Sequence, residues 1–221
     1  MIPNHKIPNH KKVARRRAPR FELIAGSLCL DFINTLDDRF SSEPKELLKS
    51  YIDLARFGED SGILTDQQVD HLFEKSMQSR EAAGESLAAA IQLREAMYEV
   101  FWSLIRKKPV PRGALYVVNQ YAQEAARHMN LVAGEKGFEW RFEESENFDA
   151  AWWPTARSAV DLLASDQLPF VRACASKTCE WLFLDESKNH RRRWCDMTKC
   201  GNRAKVRNFY TRQRKTESEV R

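Results

Sequence analysis

Four of the five cysteines in this 221-residue chain fall within 27 residues, as two pairs with equal gaps. Cys174-Ala-Ser-Lys-Thr-Cys179 is followed, after fifteen intervening residues, by Cys195-Asp-Met-Thr-Lys-Cys200. A segment this short buries too little apolar surface to fold on that alone, and a pair of thiolates at either end of a hairpin supplies the four soft ligands of a zinc tetrahedron. Such a site, with Cys174, Cys179, Cys195 and Cys200 as ligands, has no open coordination position, so one zinc ion there is structural rather than catalytic. Reduced structural cysteines or a redox pair are the alternatives. His190 could replace a ligand but reads better as a surface-turn histidine. Cys29, among Leu28, Leu30 and Phe32, reads as a small buried hydrophobe.

Charge is distributed unevenly along the chain. Residues 1–20 carry seven Lys/Arg and no acid; residues 21–169 carry fifteen basic and twenty-five acidic groups; residues 170–221 carry fourteen basic and six acidic groups. An acidic middle between basic ends suits contact with a polyanion through the ends, or else two solvated tails. The start repeats Ile2-Pro-Asn-His-Lys6 as Ile7-Pro-Asn-His-Lys11 and has no apolar periodicity, which favours a flexible tail over a metal site. No apolar run approaches the ~18 residues of a membrane span, and the basic start lacks a secretory apolar stretch. The expectation is a cytoplasmic protein with no membrane partner.

Between the basic ends the pattern is helical. Leu28, Phe32 and Leu36 recur at helical spacing, and Ser41 or Ser42 could cap a helix running from Glu43-Pro44 towards Phe57. Thr65-Asp-Gln-Gln68 has the form of a capping box opening a helix to about Met77. A long helix is predicted from about Ala82 to Lys107, with Leu87, Ile91, Leu93, Met97, Val100, Phe101, Leu104 and Ile105 on its apolar face, ended by Pro109 and Pro111. Another is predicted from Arg112 to Val132, then a turn at Gly134–Gly137, a short strand over Phe138–Phe142, and a last helix from Trp152-Trp153 to Leu163. The reading is a mainly α fold. A basic tail (1–20) precedes a helical domain with minor β content (21–168), a small C-terminal zinc module of β-hairpin and helix (169–215), and a tail (216–221). No phosphate-cradling glycine loop and no nucleophile–base pairing with catalytic spacing is present, so an enzyme is not expected.

Cys200-Gly-Asn-Arg203 closes the cysteine set, and with Trp181-Leu-Phe183, Arg191-Arg-Arg-Trp-Cys195 and Ala204-Lys-Val-Arg207 the chain resembles the CGNR zinc-finger proteins. Gly26-Ser-Leu-Cys-Leu-Asp-Phe-Ile-Asn-Thr-Leu36 and Gly62-Ile-Leu64 resemble the ABATE domain that precedes the finger in that family. The likeness runs from Phe21 to Arg214 and leaves out the duplicated tail. It implies a bacterial, stress-response transcription regulator with zinc on the four cysteines.

Residues 202–215 have helical character, with Val206, Phe209 and Tyr210 as an apolar stripe suited to pack on Trp181, Phe183 and Trp194. Arg191, Arg192 and Arg193 precede the third cysteine; Asn202, Arg203, Lys205, Arg207, Arg212 and Arg214 follow the fourth. A zinc-held basic turn and helix of this kind suits DNA, with Arg fitted to guanine and Lys to phosphate. An RNA- or protein-binding adaptor is the alternative. Within the helical domain, Asp31, Asn34 and Thr35 share one face of an apolar segment, with Arg94 as a candidate partner for Asp31. They form either a structural polar network or a pocket for a small-molecule effector; the same domain is a candidate for homodimerisation.

Overall fold

The computed structural model describes residues 20–134, 137–143, 146–176, 179–206 and 210. The duplicated basic tail, the centre of the predicted turn at Gly134–Gly137, Arg207, Phe209, Arg212, Arg214 and the last residues lie outside that set. Among the described residues the chain is mainly helical, with three two-stranded antiparallel sheets.

The first helix, α1 (Leu28–Ile33), is shorter than its apolar stripe suggests. Cys29, Leu30, Phe32 and Ile33 are buried, but Thr35 turns its hydroxyl back onto the Phe32 carbonyl (2.7 Å) and the chain leaves the helix. It enters β1 (Leu36–Asp37), which pairs with β2 (Lys45–Glu46). The helix predicted from Ser41 or Ser42 therefore starts later, as α2 (Tyr51–Asp60). The reason is long-range: the Leu47 N–H donates to the Thr35 carbonyl (3.0 Å) and Arg94 grips the Glu46 carboxylate through two 2.7 Å bonds, which holds this stretch extended.

The capping box forms as predicted at the start of α3 (Asp66–Gln78): the Gln68 N–H donates to the Thr65 hydroxyl and the Gln68 side chain accepts from the Thr65 N–H. The long helix is α4 (Arg80–Ile105), with Ala90, Leu93, Met97, Val100 and Phe101 in the core. It ends as Lys107 adopts a φ of 53°, just ahead of Pro109. The next helix, α5 (Arg112–Arg127), stops short of Val132 because residues Met129–Gly134 form β3, paired in register with β4 (Gly137–Phe142). The last helix is α6 (Trp153–Leu163), whose Trp153 is buried.

Packing runs in series: α4 on α5, α5 on α6, α6 on α1, and α1 on the C-terminal module. That module opens after a 3-10 turn (Leu168–Phe170) with β5 (Val171–Ala173), antiparallel to β6 (Leu182–Leu184). All three β6 residues are buried against the helical body, so one core is shared by both parts of the chain.

Candidate metal centre and its basic face

The β5–β6 hairpin places the first cysteine pair. The Cys174 N–H continues the ladder to the Trp181 carbonyl (2.8 Å), and the chain turns through Glu180 with φ at 51° to bring Cys179 back beside Cys174. The second pair is held by a different device. Asp196 accepts from the Thr198 N–H (2.6 Å) and the Lys199 N–H (3.2 Å), capping a single wide turn, Met197–Gly201, that carries Cys200 back towards Cys195. The two halves are tied by the Ala175 N–H donating to the Arg193 carbonyl (2.8 Å).

All four sulfurs are buried and lie within 4.8 Å of one another. The Cys179–Cys195 and Cys195–Cys200 separations are 3.5 and 3.6 Å. A zinc–thiolate bond of about 2.3 Å gives a tetrahedron with edges of about 3.8 Å, which these distances approach. No cysteine is in a disulfide. Crowding sets thiol against thiol. Hydrogen bonding with Cys179 and Cys195 holds Cys174 far below the usual thiol range, while the Cys174 contact, with burial, pushes Cys179 and Cys195 up. A cation is what allows such neighbours to ionise together. Cys29 is separate: it sits in α1 beside the Ser27 hydroxyl (3.3 Å), and burial pushes its thiol up to about 11.

Each residue around the last ligand has a visible role. Gly201 is buried, and a Cβ there would lie 2.5 Å from Met197 Sδ and 3.3 Å from Trp194 Cδ1. The Asn202 amide donates to the Thr198 carbonyl (2.9 Å), closing the wide turn. Arg203 donates to the Cys200 sulfur (3.1 Å), so a guanidinium faces the charge that four thiolates leave uncompensated around a divalent ion.

Residues 26–166 match the ABATE family, described as "putative stress-induced transcription regulator", and residues 171–213 match the CGNR zinc finger. The chain belongs to the ABATE family. Its C-terminal finger carries one structural zinc on Cys174, Cys179, Cys195 and Cys200. Neither family is that of an enzyme, and no curated protein matches the chain.

The ABATE domain and the finger are joined by long-range hydrogen bonds that nothing local in the sequence marks. Asn34, buried at the end of α1, donates to the Leu182 carbonyl (2.9 Å) and accepts from the Leu182 N–H (3.0 Å). Two residues on, the Leu184 N–H donates to the Ala25 carbonyl (2.7 Å), and Trp181 Nε1 donates to the Asp37 carboxylate (2.8 Å). The outer edge of β6 is thus covered by the domain.

Among the other polar residues singled out, Arg94 and Thr35 meet (3.1 Å), but Arg94 does not pair with Asp31. Its partners are Glu46 and Glu95. Asp31, on α1, closes the preceding turn by accepting from the Ala25 N–H (2.9 Å), whereas Thr35, past the helix end, turns to the Phe32 carbonyl and to Arg94.

The basic residues divide into two groups. Arg192 is turned inward, with donors to the Trp194, Cys195 and Ile24 carbonyls and its guanidinium 4.6 Å from the Phe183 ring centre. Its N–H, with the N–H and hydroxyl of Ser187, donates to the buried Asp185 carboxylate; burial raises that group, and these hydrogen bonds more than offset it, so the net shift is downward. Arg191, Arg193, Asn202, Arg203 and Lys205 are exposed. Of the expected apolar stripe, Val206 is 56% and Tyr210 59% exposed and Phe209 lies outside the described residues, while Phe183 is covered by the Arg192 guanidinium. His190 is stacked on Phe170 (3.8 Å) and bonded to the Asp185 carbonyl, away from the sulfurs.

Proposed function

We propose that this ABATE-family chain is a zinc-dependent transcription regulator that contacts DNA through the solvent side of its finger. The observation that carries this reading is the two-sidedness of the module. β6 is buried against the ABATE domain, while Arg191, Arg193, Asn202, Arg203 and Lys205 face outward around the metal centre. Arg207, Arg212 and Arg214 continue the same basic segment. Arg203 and Asn202 keep contacts with the site and can still offer remaining donors to phosphate, so metal and backbone recognition share residues. The ABATE domain grips the finger through Asn34, Ala25 and Asp37, so an effector that shifts α1 would also shift the basic face.

The test is binding of zinc-loaded protein to genomic DNA fragments, read by fluorescence anisotropy. With six to eight phosphate contacts, affinity falls roughly a thousandfold to ten-thousandfold between about 50 and 200 mM salt. Chelation, or Cys195→Ser, abolishes binding. DNA affinity unchanged after verified zinc removal would sink the mechanism. Structured RNA displacing duplex DNA at equal concentration would favour the adaptor reading instead.

A further inference from the structure

We propose that β4 is a dimerisation strand, pairing antiparallel with β4 of a second copy about a two-fold axis at Trp140. Residues β3 and β4 form a two-stranded ribbon, and among the described residues no third strand joins it. The register places Met129, Leu131 and Ala133 opposite Phe142, Trp140 and Phe138, so these six side chains share one face. At its root this face belongs to the core, where Phe142 lies beside buried Trp153 (6.4 Å). Further out it is bare: Leu131 is 55%, Trp140 61% and Phe138 76% exposed. A two-stranded ribbon is marginal by itself, and an open strand edge beside exposed aromatics is a template for another strand.

Hydrogen-bond parity identifies the free groups. The Glu143 N–H donates to the His128 carbonyl (2.9 Å), and antiparallel bonding alternates along the ladder. Residues 141, 139 and 137 therefore face β3, while the N–H and C=O groups of Phe138, Trp140 and Phe142 point to the open edge. An antiparallel copy centred on Trp140 sets Trp140 opposite its counterpart and Phe138 opposite the second copy's Phe142, with their outward groups bonding in pairs. In the same register Glu139 stands opposite the second copy's Arg141, twice over by symmetry, and opposite charges directly across a ladder are favourable. The same operation about Leu131 on β3 sets Asn130 against Val132 and gains no such pair, which commits the proposal to β4. Pairing buries the strand edge and the flanks of Phe138, Trp140 and Phe142, a contact at the low end of size for a specific interface, so the dimer is a reversible one.

The experiment is sedimentation velocity on full-length zinc-loaded protein without DNA, so that its outcome is separate from that of DNA binding. The expected result is a concentration-dependent doubling of mass. Arg141→Glu opposes carboxylate to carboxylate in both symmetry-related pairs and weakens association about tenfold or more. Glu139 and Arg141 also form an ion pair along their own strand, so circular dichroism accompanies each variant: unchanged spectra with association lost in Arg141→Glu and restored in the double variant Glu139→Arg/Arg141→Glu separate lost pairing from lost folding. A monomer at every concentration overturns the proposal and leaves the edge to a strand of some other protein. A dimer indifferent to Arg141→Glu, or one that the double variant fails to restore, overturns it as well.

Discussion

At the scale of single residues, Asp31 shows how the fold loads a cost onto one side chain. Burial lifts its carboxyl from an ordinary 3.8 to about 6, although N–H groups of Ala25 and Ile24 pull the other way. A carboxyl that holds its proton more tightly when folded favours the native state most at low pH. That advantage is lost as pH rises from about 4 through about 6. Asp31→Asn keeps the acceptor and removes the charge, so its stability gain over the parent should grow across that window and level off above it. Urea denaturation at the two ends of the range measures this; a difference independent of pH would contradict it. Residue roles were only partly legible in sequence. The cysteine ligands were readable because their chemistry and spacing are local. Asn34 was readable as a polar residue in need of a partner, but not as the partner of Leu182, 148 residues away. Nothing near Glu46 in the chain marks it as the mate of Arg94. Arg203 reads as a DNA contact by charge alone; only geometry brings it onto the Cys200 sulfur.

At the scale of elements, the features legible in sequence are those decided within a few turns of chain. The capping box at Thr65 is complete within four residues, and the long helix announces itself over seven turns of apolar periodicity. Errors fell where a distant partner decides the outcome: β2 stands where a helix start was expected, and β3 replaces the tail of α5 because β4 is there to pair with it. The finger divides in the same way. Its β5–β6 hairpin is anchored by the ABATE domain, whereas the Cys179 turn and the Met197–Gly201 turn are anchored to each other through the sulfurs. Chelation should therefore remove amide-exchange protection around Cys179 and Cys200, while the Leu184 N–H, bonded to Ala25, keeps most of its own. Equal loss across the whole finger would show that the hairpin also depends on the metal.

For the whole molecule, shared burial makes two family regions one cooperative unit. Asn34→Ala leaves the Leu182 N–H and C=O buried without their partners, costing about 2 kcal/mol or more. In the parent protein, helical circular dichroism and release of zinc to a chromophoric chelator should follow one transition on heating. In the variant, zinc release should precede helix loss. Coincident transitions in both proteins would mean that the remaining contacts suffice to keep the parts coupled. The charge map adds to this arrangement: acidic groups are concentrated between residues 21 and 169 and basic ones in the finger segment and in residues 1–20, so attraction to a polyanion acts through the two ends of the chain.

An amide that imitates a neighbouring strand has a further result. Zinc fingers are commonly portable beads, yet this one borrows the rim of its ladder from the polypeptide before it. Excised at residue 171, it would regain a sticky border and bare two leucines and a phenylalanine, and would clump in solution even with its metal in place. Grafting it onto a foreign protein would require carrying the asparagine-bearing segment along.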